Sequence, residues 1–196
     1  MLDRALVFLD VETTGSSSSV DRITEIGLIE VDCGEYVREW STLVNPQVPI
    51  SPFIESLTGI SDAMVADAPT FAQIAGELKT RLAGRMLVAH NARFDYGFLR
   101  AEFARVDTDY TAELICTVKL SRKLFPGHQR HNLDSLIERH AVSCDARHRA
   151  LGDARVLWDL LAKWRVDPGA EAIRQAAAAQ LTKTKPRKTP VVRAAA

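Results

Sequence analysis

Asp10 and Glu12 stand two residues apart at the end of the apolar run Ala5-Leu-Val-Phe-Leu9. A run of that length suits a strand buried on both faces. Side chains alternate along a strand, so both carboxylates project to the same side. Like charges held that close repel, burial sharpens the repulsion, and a divalent cation is the simplest counter-charge. Thr13, Thr14 and Gly15 follow, and the glycine lets the backbone turn sharply or approach a ligand closely. Taken alone, the pair reads equally well as a solvated strand end followed by a polar turn.

Two more acids stand near apolar segments. Asp95 follows the apolar stretch Gly84–His90 and has His90, Asn91 and Phe94 as neighbours. Asp153 sits beside Leu151 and Ala154 in the last strong helical pattern. Each alone reads as a helix-face charge, His148 as a surface or capping histidine, and Asn91 as a helix cap. Glu25 reads as a strand-face carboxylate paired to a basic neighbour, with a supporting role at the site as the alternative.

The elements that must position these groups follow from periodicity. Residues 23–31 and 36–44 are strand-like, and Asp32-Cys-Gly-Glu35 supplies a turn, so the first three strands read as an antiparallel meander. Ser51 and Pro52 mark a short helix ended by Leu57-Thr-Gly-Ile60. Phe71, Ile74, Leu78 and Leu82 fall at helical spacing after Asp67-Ala-Pro-Thr70. A strand over 84–90 runs into a helix over 91–100, and a short strand over 114–117 precedes a helix over 118–124. Asn132 can cap a helix over 133–140, and the last strong helix covers 147–164. Three strands followed by alternating helices and strands predict an α/β fold with a mixed sheet, in which sites gather at strand ends.

The 196 residues suit one domain with an extension. All 25 acids lie at or before Glu171, against 19 of the 25 bases, so the body carries −6 and the remainder +6. An acidic body does not grip nucleic acid by bulk electrostatics. It does suit an acid-rich site offset by metal. The three cysteines lack metal-site spacing and read as reduced residues of a cytoplasmic protein. No apolar stretch reaches membrane-spanning length, and no membrane partner is expected. One folded domain is expected over 1–166, with an alanine-rich, basic, flexible tail over 167–196 in which 170–181 forms a weak helix.

Together the motifs Phe8-Leu-Asp-Val-Glu-Thr-Thr-Gly15, His90-Asn-Ala-Arg-Phe-Asp-Tyr-Gly-Phe-Leu99 and His148-Arg-Ala-Leu-Gly-Asp-Ala-Arg-Val-Leu157 resemble those of the DnaQ-like 3′–5′ exonucleases of the DEDDh type. The resemblance spans Ala5 to about Trp164 and implies a ribonuclease-H-like fold with a mixed five-stranded sheet flanked by helices. It implies that Asp10, Glu12, Asp95 and Asp153 bind two divalent ions, Mg²⁺ or Mn²⁺, with Asp10 bridging. Carboxylate oxygens suit those hard cations. Two ions roughly 4 Å apart can stabilise the attacking and leaving oxygens of a phosphodiester displacement. His148 becomes the general base, a role suited to an imidazole.

By the same match, Thr13, Thr14, Gly15, Thr58, His90, Asn91 and Phe94 are expected around the terminal nucleotide. Many relatives have His at the position of Thr58.

The expected reaction releases nucleoside 5′-monophosphates from nucleic acid 3′ ends. Thr13-Thr14 resembles the proofreading and repair branch, which favours single-stranded DNA over RNA. An exoribonuclease and a silent module binding nucleic-acid ends or a polymerase are the alternatives; the intact carboxylate set argues against the second. The epsilon subunit of bacterial replicative polymerase, a member of this family, docks on its polymerase through a C-terminal extension. Residues 168–196 could act as such a tether, as a weak DNA-binding tail or as a solvated end, and the reading leans to a stand-alone or loosely associated exonuclease.

Overall fold

Leu6, Val7, Phe8 and Leu9 are all fully buried because their strand, β1 (Leu6–Thr13), lies at the centre of a sheet covered on both faces. The computed structural model describes residues 3–144 and 146–181. β2 (Ile23–Asp32) and β3 (Glu35–Leu43) continue from β1 as the expected antiparallel meander. β4 (Met86–Ala89) and β5 (Leu114–Cys116) add on the other side of β1 in parallel. The order β3-β2-β1-β4-β5 is the mixed five-stranded sheet expected from the sequence.

Alternation along β1 sorts the core into two layers. Leu6 and Phe8 face one layer together with Ile29 and Val31 of β2. Val7, Leu9 and Val11 face the other. The second layer is closed by α3 (Phe71–Leu82) and α4 (Arg93–Arg105), through Phe71, Leu78, Phe98 and Phe103. The short α1 (Pro52–Thr58) and α2 (Asp62–Val65) lead up to α3. The first layer is closed by α5 (Thr117–Leu124), α6 (Leu133–His140), α7 (Ala150–Trp164) and α8 (Ala170–Leu181). Ser51 caps α1, Asn132 caps α6, and Thr70 with Gln73 forms a capping box on α3.

Three expectations change. The helix expected from Arg147 begins at Ala150, because His148 has φ 58° and Arg149 is extended. The helix expected from Asn91 begins at Arg93. Asn91 is left-handed at φ 65°, and no side chain caps the helix. The flexible extension expected from 167 is, over 170–181, a helix packed into the first layer. Ile173 and Ala177 are fully buried there. Gln180 accepts from the backbone N–H of Cys116 at 2.9 Å and donates to its carbonyl at 3.2 Å, so its amide satisfies the β5 edge as a further strand would. Composition concealed this, since alanines pack closely while looking featureless in sequence. Residues 182–196 of the expected tail lie outside the described residues.

The backbone of α7 comes down close on β2. A Cβ at Gly27 would lie 2.1 Å from the backbone nitrogen of Leu151 and 2.3 Å from the carbonyl carbon of Ala150. Backbone cannot yield there as a side-chain tip can. Gly27→Ala is therefore expected to cost about 3 kcal/mol. In a chain of this size that lowers the melting temperature by about 6–12 °C, readable by calorimetry. An unchanged midpoint would show that α7 can lift off β2 at little cost.

Candidate active site

Asp10 and Glu12 sit on the face of β1 that looks towards α7, opposite Gly27 and Glu25 of β2. Since Gly27 has no side chain, the first turn of α7 comes down beside them and delivers Asp153. Carboxylate oxygens of Asp10, Glu12 and Asp153 all lie within 4.8 Å of one another. Asp95 enters from the first turn of α4, just beyond the end of β4. It is 2% exposed and close enough to Asp10 for their charges to interact. Acids from three segments far apart in sequence thus meet at one end of β1.

Electrostatics shows what gathering them costs. Burial, then the charges of Asp95, Asp153 and Glu12, hold the Asp10 carboxyl well above the usual carboxylate range. Burial, then Asp153 and Glu25, push Glu12 up to about 7. Burial likewise pushes Asp95 up to about 7, and burial also raises Asp153. Asp95 Oδ2 and Asp153 Oδ1 are buried without a hydrogen-bond partner among the described residues. Orphaned carboxylate oxygens that converge in this way fit a hard divalent cation as ligand set.

One cation already reaches the cluster. Arg147 spans Asp134, at 2.7 Å, and Asp153. Its charge also partly offsets the repulsion at Asp10 and Glu12. The sequence reading did not single out Arg147, because an arginine beside a turn carries no spacing signal. His148 follows it, half-buried in the left-handed turn, near enough for its charge to act on Asp153 and Asp134. Glu25 is paired to a base, Arg149, with Nη2 at 2.7 Å from Oε1.

The expected substrate residues divide. Thr13, Thr14, Gly15, Thr58 and Phe94 line a cleft of about 450 Å³ that begins at Glu12. Thr13 donates to the carbonyl of Gly15 at 2.6 Å, and Thr14 accepts from the backbone N–H of Arg22 at 3.0 Å, so both hydroxyls shape the loop. Gly15 has no left-handed φ. Its lack of a side chain instead makes room for the Asp21 carboxylate, 2.5 Å from where a Cβ would stand. The Thr58 hydroxyl donates to the Ile54 carbonyl and accepts from the Ile60 N–H, within its own turn.

His90 and Asn91 are not among the residues lining this cleft. His90 Nδ1 is 2.8 Å from the Thr117 hydroxyl, and burial followed by the Arg147 charge lowers its pKa to about 4. Asn91 shapes the entry to α4, where its carbonyl accepts from the Phe94 N–H at 2.8 Å.

The cleft also has two walls that sequence reasoning missed. Phe53 and Leu57 of α1 line it while remaining 74% and 47% exposed. A surface helix with apolar residues four apart gives no hint of what it faces. A second cleft of about 440 Å³, lined by Arg4, Lys79, Arg85 and Tyr110, lies at the other ends of the parallel strands and brings none of these acids together.

The raised pKa values fix the sign of a stability change. A carboxyl whose folded-state pKa exceeds its unfolded value near 4 binds more protons in the folded state. Its contribution is complete below the unfolded pKa and is lost as pH rises through the folded one. With chelator present, the melting temperature should therefore fall between pH 4 and 8, most steeply near 7, the value reached by Glu12 and Asp95. A melting temperature that rises across this window would contradict the electrostatics described.

A protein-family model described as Exonuclease (RNase_T) matches residues 7–161. A PolC-type DNA polymerase III from Caldanaerobacter subterraneus is 36% identical over 162 residues, 83% of this chain. The 3′-5′ exonuclease DinG of Bacillus subtilis is 38% identical over 158 residues, 80% of this chain. The chain spans only 12% and 17% of the length of these two relatives. Among solved structures, exonuclease X in complex with 5′-overhanging duplex DNA is 31% identical with a TM-score of 0.70, covering 88% of this chain and 99% of that one. An exonuclease I structure at 17% identity superposes with a TM-score of 0.78, a likeness of fold.

Proposed function

Since the chain belongs to the exonuclease family whose model spans residues 7–161, we propose that it is a divalent-metal-dependent 3′–5′ exonuclease acting on the 3′ ends of DNA. The observation that carries this reading is the convergence of Asp10, Glu12 and Asp153 oxygens within 4.8 Å, joined by Asp95, beside a mostly apolar cleft that Glu12 helps to line. In this reading the four carboxylates hold two ions, Mg²⁺ or Mn²⁺. When bound, the ions supply Lewis-acid stabilisation of the charge that develops on the phosphate and its attacking and leaving oxygens. His148 takes the proton from the attacking water, and a nucleoside 5′-monophosphate leaves.

The cleft receives the terminal nucleotide. Thr13, Thr14, Gly15, Phe94 and Phe53 line it, and in this reading the terminal base stacks on the exposed Phe53 ring. Removing a stacking ring costs roughly 1–3 kcal/mol per base. Phe53→Ala should therefore raise KM for oligonucleotides about 5- to 150-fold and leave kcat within a few-fold. An unchanged KM would place the nucleotide elsewhere.

A base stacked on a side-chain ring must leave its own stack, which favours single-stranded or frayed ends. The two threonines favour DNA over RNA by resemblance. Matched 3′-labelled single-stranded DNA, duplex DNA and RNA oligonucleotides, digested with Mg²⁺ or Mn²⁺, test both preferences. Faster release from single-stranded DNA is expected. Faster release from RNA would make the chain an exoribonuclease with the same chemistry.

Residues 170–181 pack on the body, so they do not serve as a free polymerase tether.

A further inference from the structure

His148 has no helix of its own, and something outside its turn must hold it. α7 begins only at Ala150, His148 sits at φ 58°, and Arg149 is extended with φ −128° and ψ 125°. A non-glycine residue in the left-handed region persists where its surroundings over-determine it. No side chain of its own segment caps α7.

The cap comes from β2. Glu25 is 4% exposed and accepts the Ala150 N–H at 2.9 Å, one of the donors a helix start leaves without a partner. The same carboxylate accepts from Arg149, with Nε 3.1 Å from Oε2 and Nη2 2.7 Å from Oε1. Two residues along the same strand face, Gly27 lets the Ala150–Leu151 backbone lie directly on the sheet. A carboxylate and a glycine at i and i+2 therefore form a seat for the first turn of α7. That seat grips both residues that follow His148.

We propose that Glu25 is a positioning residue for the reaction: it fixes the Arg149–Ala150 backbone and thereby aims His148 at the attacking water. The inference rests on the reading of His148 as the general base. Glu25 acts at one remove, through its grip on residues 149 and 150. Asp10 stands on β1 and Asp95 on α4, outside the seat, whereas Glu12 faces Glu25 across the β1–β2 pair and Asp153 lies in the first turn of α7. A substitution at Glu25 that keeps an acceptor for the Ala150 N–H holds that turn in place, so its effect should fall mainly on proton transfer.

The test is Glu25→Gln, which keeps the shape and one acceptor for the Ala150 N–H but loses the ion pair with Arg149. The expected result is a kcat about 10- to 100-fold lower at saturating Mn²⁺, with KM and calorimetric Mn²⁺ affinity within about two-fold of wild type. Glu25→Asp, charged but shorter, should recover part of kcat. Arg149→Met combined with Glu25→Gln should be no slower than Glu25→Gln alone, because both break one pair.

Unchanged kcat in Glu25→Gln, or kcat restored by raising Mn²⁺ alone, would overturn the proposal. So would a melting temperature so lowered that activity returns fully on cooling, since Glu25 would then only stabilise the fold. His148→Ala runs in the same assay. If wild type shows no metal-dependent turnover, or His148→Ala turns over normally, the underlying reading fails. If both behave as expected and Glu25→Gln is unaffected, only the role of Glu25 fails.

Discussion

Asp10→Asn is expected to abolish turnover while making the metal-free protein more stable. Asp10 is the acid at which the repulsion converges, since burial and the charges of Asp95, Asp153 and Glu12 all raise its pKa. In the proposed reading Asp10 would be the ligand shared by both ions, and the substitution removes its charge. Ion catalysis supplies several kcal/mol of transition-state stabilisation, and each 1.36 kcal/mol is tenfold, so kcat should fall by roughly 10⁴ or more. The same change removes a buried like-charge contact. In chelator the melting temperature should rise by roughly 2–8 °C, the span of 1–2 kcal/mol for a chain of this size. Opposite signs in the two measurements are the mark of a ligand site held together against its own charge. A variant that loses both activity and stability would indicate a structural aspartate.

His148→Ala should lower kcat by roughly 10²–10⁴, the usual contribution of a general base, with little change in Mn²⁺ affinity by calorimetry. The side chain stands outside the cluster of Asp10, Glu12 and Asp153 oxygens, so truncating it leaves those oxygens in place. Its half-exposure lets the vacated space fill with water at small cost to the fold. Normal turnover would remove His148 from the reaction. A parallel loss of Mn²⁺ affinity would instead assign it to ion binding.

Much of this was legible in the sequence because it depends on local periodicity. The apolar run 5–9 places β1 at the sheet centre, and a two-residue spacing puts Asp10 and Glu12 on one face. The start of α6 was also legible, because Asn132 is a side-chain cap. What stayed hidden depends on contacts between distant segments. The start of α7 is set by Glu25, 125 positions away from Ala150, so no window around Arg147 reveals it. Arg147 shows its reach only when α6 brings Asp134 alongside. The packing of 170–181 was obscured by alanines, whose pattern is equally that of a solvated helix. Phe53 and Leu57 carry no marker of the cleft they wall.

The central claim is that the acids at the end of β1 direct hydrolysis from a 3′ terminus. The most direct measurement is digestion of a 5′-labelled single-stranded DNA oligonucleotide by wild type and by Asp10→Asn, with Mn²⁺ and with chelator. A ladder shortening from the 3′ end, present only for wild type with Mn²⁺, is the predicted result. Early release of a labelled mononucleotide, internal cuts, or a ladder that survives either chelator or Asp10→Asn would contradict it.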